Sequence, residues 1–382
     1  MPKAILKNVV ERIKDKVDKD NTDLEYYIGG EHFDNGEIQI SRKGIIAGST
    51  IGPAFHTRFM PGDVLLMSRN PHLRKASVVD FEGICSDVSY VCRTKDESVL
   101  MQKYLPFIFQ TDHFWKFAEE NKKGSTNFFL NWSDFEKYEF NLPSIEKQKK
   151  LVDLLWSFQE TKSAYKVMLE KTDEMVKSQF IEMFGDLDSN KKGWKKEPLK
   201  KHADILVGYP FPSSGYSEKG IKIIGGYNLM QGYINWDDSK YWPTMENYEQ
   251  YLLKDGDIVM AMDRPWTGDG FKMAFIDGTQ LPALLIQRTA CIRASDIENE
   301  FLYTLLNSQW FADHCNVKGS LVPHISNKDM NSFMIYLPPN ELQKVFVRLY
   351  QQSDKSKFEL KQGISDMDAL IKAFMLQVNA ES

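Results

Sequence analysis

The chain repeats itself. Ile28-Gly29-Gly30 with Gly36 returns as Ile224-Gly225-Gly226 with Gly232, and Pro61-Gly62-Asp63-Val64-Leu65 returns as Asp255-Gly256-Asp257-Ile258-Val259. An arginine follows in each copy, Arg69 and Arg264, at what reads as the same place. Lys123-Gly124-Ser125, Asp134, and Leu142-Pro143 with Gln148 reappear as Lys318-Gly319-Ser320, Asp329, and Leu337-Pro338 with Gln343. One order at a nearly constant offset of about 195 residues marks a tandem duplication. Between the anchors the copies diverge, as in Leu73-Arg74-Lys75 against Gly268-Asp269-Gly270. A retained scaffold with a changed surface implies two related platforms that read two different things.

Each copy has two parts. Short apolar runs set off by Gly-Asp turns read as strands: Val64 to Met67, Val88 to Cys92, Ile221 to Ile224, Ile258 to Met262 and Leu284 to Ile292. Helical stretches follow near Glu97 to Asn121 and Ile297 to Asn316. A long helix closes each copy, started by Pro143-Ser144 and by Pro338-Pro339-Asn340. Leu151, Leu155, Phe158, Tyr165, Leu169, Val176 and Met183 keep near-heptad spacing, interrupted by Lys162 and Thr172. Leu342, Phe346, Leu349, Leu360, Ile364, Met367, Ile371, Phe374 and Val378 do the same, interrupted by Ser353 and Ser356. The fold class is therefore α+β: two mixed domains at residues 1–143 and 187–338, and two coiled-coil helices at 144–186 and 339–382.

One amphipathic helix can pack on its own domain. Two equivalent helices, each roughly 60 Å long at about 1.5 Å per residue, outrun such a platform and should pack on each other. Chain order makes the pair antiparallel, since the first leaves domain one for domain two and the second can only return. The expected result is a dumbbell with pseudo-twofold symmetry. Duplex DNA has a local dyad of its own, so the predicted target is bipartite with an unread spacer.

Composition narrows the partners. Lys3, Lys7, Glu11, Arg12, Lys14 and Asp15 leave no room at the start for the apolar core of a signal peptide. No run approaches about 18 apolar residues, so a cytoplasmic protein with no membrane contact is expected. Cys85, Cys92, Cys291 and Cys315 lack zinc-knuckle spacing and read as buried small hydrophobes, with no metal site. The net charge is −5, and neither domain is basic: residues 1–143 hold 19 Lys and Arg against 21 Asp and Glu, residues 187–338 hold 16 against 18. Because phosphate neutralisation supplies much of DNA affinity, weak binding by the chain alone and strong binding in a complex are expected.

The repeat, the segment from Leu142-Pro143 through Gln148 to Phe184, and its counterpart from Leu337-Pro338 through Gln343 to Met375 resemble the specificity subunit of Type I restriction-modification enzymes over essentially the whole chain. The Gly-Asp-Val/Ile strand start is similar to the core of that family's target-recognition domains. The resemblance implies a DNA-binding subunit for host defence and DNA methylation, without catalysis or cofactor of its own. It implies two methyltransferase subunits, which use S-adenosylmethionine to methylate a flipped adenine at N6, docked on the helices that set the spacer. It also implies restriction-translocase subunits that use ATP and Mg. The sequence agrees: there is no Gly-Lys-Ser/Thr phosphate loop, no Asn-Pro-Pro-aromatic methylation motif and no His-Glu metalloprotease pair.

Base reading needs bidentate donors, and phosphates are held by Lys, Arg, Ser and backbone amides. The loop after Met67 offers Ser68, Arg69, Asn70, His72, Arg74 and Lys75, and its counterpart offers Arg264, Trp266 and Thr267. A second pair of segments offers Lys122, Lys123, Ser125 and Asn127, and Lys318, Ser320 and His324. Arg69 and Arg264, as shared residues, suit phosphate contact or a structural ion pair equally. The run Lys191, Lys192, Lys195, Lys196, Lys200 and Lys201 reads first as a solvated linker. Two rival readings stand beside DNA specificity: a two-platform structural adaptor that binds protein partners, and a nuclease using Asp63, Asp257 or Asp263, residues that usually form turns.

Overall fold

In a computed structural model of the protein, residues 2–237, 239–267, 270–317 and 323–380 are described. The chain divides into two compact units, Met1–Val167 with Leu360–Ser382, and Met168–Glu359. The division falls inside the two long helices, Ile145–Phe184 and Asn340–Ala380, and not at their starts. Each unit thus owns one half of each helix.

The units share one plan. In unit 1 the strands Val10–Ile13, Ser89–Thr94, Val64–Met67 and Ala76–Val78 form an antiparallel four-stranded sheet in that order. Its counterpart in unit 2 is Ala203–Val207, Thr289–Ala294, Ile258–Ala261 and Met273–Phe275. A second, mixed sheet accompanies each, four-stranded in unit 1 and three-stranded in unit 2. It contains one parallel pair, Tyr26–Ile28 with Gly83–Ser86 in unit 1 and Ile221–Ile224 with Ala283–Leu285 in unit 2. A two-stranded clasp closes each unit, Lys3–Ile5 on Glu139–Asn141 and Lys195–Pro198 on Met334–Leu337.

The central strands explain their own apolar runs. Successive strand residues point to opposite faces, so a run without alternation means both faces are covered. Val64 and Leu66 face a core with Phe107, Phe114 and Phe135, while Leu65 faces Ile28, Phe59 and Val91. Ile258 and Met260 divide from Val259 and Ala261 in the same way.

Two expectations need correction. The run Leu284 to Ile292 is two strands, broken by a turn at which Arg288 takes a left-handed φ of 64°. The stretches near Glu97 to Asn121 and Ile297 to Asn316 are each two short helices. Thr111 and Ser308 break them by capping, each side chain accepting a hydrogen bond from an amide one turn on, Phe114 N and Phe311 N.

The long helices pack antiparallel. In unit 1 the Phe158 and Phe374 rings lie 5.8 Å apart, and Lys162 Nζ reaches Asp368 Oδ1 at 2.6 Å. A Cβ on Gly363 would sit 2.6 Å from Tyr165, so only glycine permits that approach. In unit 2 Phe180 meets Phe346 at 5.2 Å, and Lys357 Nζ reaches Asp173 Oδ1 at 3.1 Å. Lys162 and Lys357 are repeat counterparts, as are Asp173 and Asp368. One ion pair is therefore the other with its helices exchanged, as an antiparallel pair built from a duplicated sequence requires.

Candidate nucleic-acid interface

In unit 1 the strand Val64–Met67 delivers the chain to Ser68, whose Oγ donates to the Val88 carbonyl at 2.7 Å. Leu130 N donates to Ser68 O at 2.8 Å, Asn70 N donates to Phe128 O at 2.9 Å, and Arg69 bridges to Phe129. The segment 123–129 is itself folded back, Lys123 and Phe129 exchanging two backbone hydrogen bonds of 2.7 and 3.0 Å. Gly124 makes that turn with a φ of 94°, where a Cβ would lie 2.6 Å from Asn127 O. Loops 68–75 and 122–127, about fifty residues apart in sequence, thus form one surface with the turn between Ser86 and Ser89.

Unit 2 repeats this weave. Arg264 N donates to Pro323 O at 2.9 Å, Ile325 N to Met262 O at 2.8 Å, and Met262 N to Arg288 O at 2.9 Å, while Asp263 bridges to His324. The correspondence corrects the sequence alignment. Arg264 occupies the slot of Asn70: both are left-handed, with φ of 45° and 53°, both donate to the facing carbonyl, and both precede a proline. Asp263, an acid, occupies the slot of Arg69. The two arginines are not counterparts, and neither makes an ion pair among the described residues.

The candidate residues sort by what already holds them. Arg69, His72, Lys123, Ser125 and Asn127 are exposed. Ser68 is buried, Lys75 donates through Nζ to Gly30 O at 2.7 Å, and Lys122 pairs with Glu119 and lies over Phe128. Arg74, left-handed at φ 52°, pairs with Asp112 at 2.6 Å, and Lys372 takes the other oxygen of that carboxylate at 2.8 Å. Hydrogen bonds from Lys372 and then Arg74 hold the Asp112 carboxyl below its ordinary range. In unit 2 Arg264 and Thr267 are exposed, and the Thr267 carbonyl accepts from Gln231. Trp266 is half-buried, edge-on to Phe271 at 4.8 Å. His324 pairs with Asp263. Lys318 and Ser320 lie outside the described residues.

The lysine run is not a free linker. Lys195 and Lys196 belong to the clasp strand of unit 2, and Lys196 lies over the Tyr336 ring at 5.0 Å. Lys195, Lys201 and His202 all hydrogen-bond Glu197, holding its carboxyl down to about 2. Lys191, Lys192 and Lys200 stay exposed.

Sequence reasoning missed three features. Asp63, buried, takes a forked pair of 2.8 Å bonds from Arg93 and accepts from Met60 N, and Asp257 does the same with Arg293 and Lys254 N. Those two carboxylates are buried and engaged as turn formers, while Asp263, the third candidate of the nuclease reading, meets Arg288 and His324. Gln148 and Gln343 are buried clamps, each accepting an amide (Met101 N, Glu298 N) and donating to the carbonyl of the proline before its helix. The third is the turn carrying Gln287 and Arg288 onto the unit 2 surface, invisible while 284–292 read as one strand. Burial pushes the Cys85 and Cys315 thiols up to about 12 and raises Cys92 and Cys291 as well. Among the described residues no group of three His, Cys, Asp or Glu could hold a metal ion, and no helix is long and apolar enough to cross a membrane.

Known proteins share this arrangement. The Type I restriction modification DNA specificity domain matches twice, at residues 8–168 and 191–367. The Type I restriction enzyme EcoAI specificity subunit of Escherichia coli is 31% identical over 179 residues, 44% of this chain and 30% of that protein. The MjaVIII specificity subunit of Methanocaldococcus jannaschii is 26% identical over 256 residues, 62% of this chain and 60% of that one. The matched regions thus span less than two thirds of either relative. The crystal structure of a Type I restriction-modification S subunit from M. genitalium aligns over 97% of this chain and 95% of its own, with a TM-score of 0.56 at 15% identity, a likeness of fold. With two domain matches that together cover most of its length, one over the sheets of each unit, this chain belongs to the Type I restriction modification DNA specificity family.

Proposed function

We propose that this chain is the sequence-specific DNA-binding subunit of a Type I restriction-modification complex, each unit reading one half of a bipartite site. The carrying observation is the weave repeated in both units, which brings two distant variable loops onto one surface while the residues in equivalent slots differ, Arg69 against Asp263 and Asn70 against Arg264. Equal frames with unequal side chains suit two different half-sites. The ion pairs Lys162–Asp368 and Lys357–Asp173 repeat one helix-to-helix contact within each unit, and on this reading the helix pair sets the spacer.

On this reading the chain has no catalytic role, and two methyltransferase subunits with their S-adenosylmethionine, and restriction-translocase subunits with ATP and Mg, supply the chemistry. Its overall charge of −5 means that partners contribute phosphate contacts, so the isolated chain binds DNA weakly. The test is a methylation map made with the chain and its methyltransferase subunit expressed together. The expected motif has two half-sites and a fixed gap. Replacing residues 68–75 should change one half-site only, and replacing 262–267 the other. A continuous motif, or a bipartite one indifferent to both replacements, would sink the reading.

A further inference from the structure

The unit 2 surface carries a charged cluster that unit 1 lacks. Asp263 meets two side chains at once: the Arg288 guanidinium, with Nη1 3.1 Å from Oδ2, and the His324 imidazole, with Nδ1 against Oδ1. Arg288 stands at the tip of the turn between the strands Ala283–Leu285 and Thr289–Ala294, with a side chain 72% exposed. Its backbone sits at φ 64°, a region that is strained for a non-glycine residue and persists where surrounding structure holds it. The Arg288 carbonyl accepts Met262 N at 2.9 Å, which ties the tip to the recognition loop. The matching slot in unit 1 holds Val88, whose carbonyl accepts Ser68 N in the same way but whose side chain offers no donor.

A guanidinium has five N–H donors in one plane. Asp263 occupies the Nη1 side, which leaves the Nε and Nη2 edge unengaged among the described residues. That edge matches the O6 and N7 acceptors that guanine shows in the major groove. A free surface arginine gives up rotamer freedom when it docks, and one already steadied by a carboxylate gives up less. Asp263 also repels phosphate, so the cluster favours a base edge over the backbone. We infer that Arg288, steadied by Asp263, reads a guanine in the half-site of unit 2, a specificity position with no equivalent in unit 1. This rests on the DNA-specificity reading above.

The experiment uses the complex with its methyltransferase subunits and a randomised duplex library, scored for which sequences become methylated. Wild type should select a guanine at one position of the unit 2 half-site. Arg288→Ala should lose that preference by about 5- to 150-fold, the span a bidentate base contact supplies, and keep the unit 1 half-site. Arg288→Lys should lose it too, since an ammonium keeps the charge and lacks the fork. Asp263→Asn should relax it partly. If Arg288→Ala weakens all sequences alike and Arg288→Lys restores them, the residue holds phosphate and the inference is overturned. An unchanged motif in both variants overturns it as well. A wild-type complex that selects no motif refutes the underlying reading instead, so the two failures differ. Retention of the unit 1 half-site by each variant shows that the complex is still folded.

Discussion

The two units solve one problem, holding a platform on a helix pair, with different chemistry. Both helix pairs bury an apolar face on their platforms, and unit 1 adds an ionic holder: Lys162, its side chain only 5% exposed, pairs across the helices with Asp368 and also with Glu37 of the platform at 3.2 Å, and Lys166 adds a 2.7 Å contact to the same Glu37. Its counterpart Lys357 pairs across the helices with Asp173 and lies over Tyr350, yet among the described residues it meets no platform carboxylate. The sequence says why, because Gly36-Glu37 is replaced by Gly232-Tyr233. Unit 2 is held by rings, with Phe180, Phe184, Phe301 and Phe346 clustered at 4.8 to 5.6 Å and Phe275 stacked on Tyr303 at 4.6 Å. Ring packing rests on area and resists salt and acid, while an ionic holder fixes register and responds to both. The difference teaches that a duplicated frame constrains the backbone and leaves the two attachments free to drift.

That contrast can be broken or sharpened by four measurements. The largest effect is expected from Phe180→Ala, which empties the aromatic cluster and should cost unit 2 about 3–5 kcal/mol. Hydrogen exchange resolved by residue should show the loss in unit 2 and spare unit 1. Equal loss in both would mean that the units do not unfold separately. Next, Arg93→Ala should cost about 3 kcal/mol by leaving Asp63 buried without its partner, and Arg293→Ala should cost unit 2 a similar amount. Denaturant midpoints check this, and a large inequality would show that the frames are not equivalent. Third, Lys162→Met should destabilise unit 1 by about 1–2 kcal/mol, whereas Lys357→Met, at a residue 18% exposed with no platform carboxylate among the described residues, should cost under about 1 kcal/mol. Similar values would remove the ionic side of the comparison.

The smallest effect carries a pH signature. Burial raises the Glu37 carboxyl, but hydrogen bonds and charge from Lys166 and Lys162 outweigh it, and the net displacement is downward. A carboxyl lowered in the folded state contributes stability above its unfolded value of 4.5 and loses it as pH falls through the lower folded value. Glu37→Gln should therefore cost about 1 kcal/mol at neutral pH, and the gap to wild type should close on acidification below that range. Thermal melts from pH 7 to pH 3 test it. A gap that stays constant with pH would mean that Glu37 acts by shape alone.

Much of this molecule was legible in its residues. The repeat, the doubly buried runs Val64–Met67 and Ile258–Ala261, and the two helix seams follow from periodicity, which records what each face must be buried against. The antiparallel direction followed from chain order. Both loop pairs were found from donor chemistry, but their convergence was not, since a single backbone bond such as Asn70 N to Phe128 O leaves no trace in side-chain pattern. For the same reason Arg69 was paired with Arg264. Identical letters one residue out of step looked equivalent until the hydrogen bonds placed Asn70 and Arg264 in one slot.

The break at Ile286 to Arg288 was hidden because apolar residues on both sides of a tight turn read as one run, and only the left-handed Arg288 separates them. What the sequence determined alone was local and periodic: which segments are strands or rods, that there are two of everything, and that the rods run opposite ways. What only the tertiary structure decided was which side chains are spent and which are free. Lys75 and Arg74 look as available on paper as Arg69, yet Gly30 and Asp112 from distant segments engage them. The reason is physical: availability depends on the nearest opposite charge or carbonyl in space, and that neighbour is set by the packing of the whole unit.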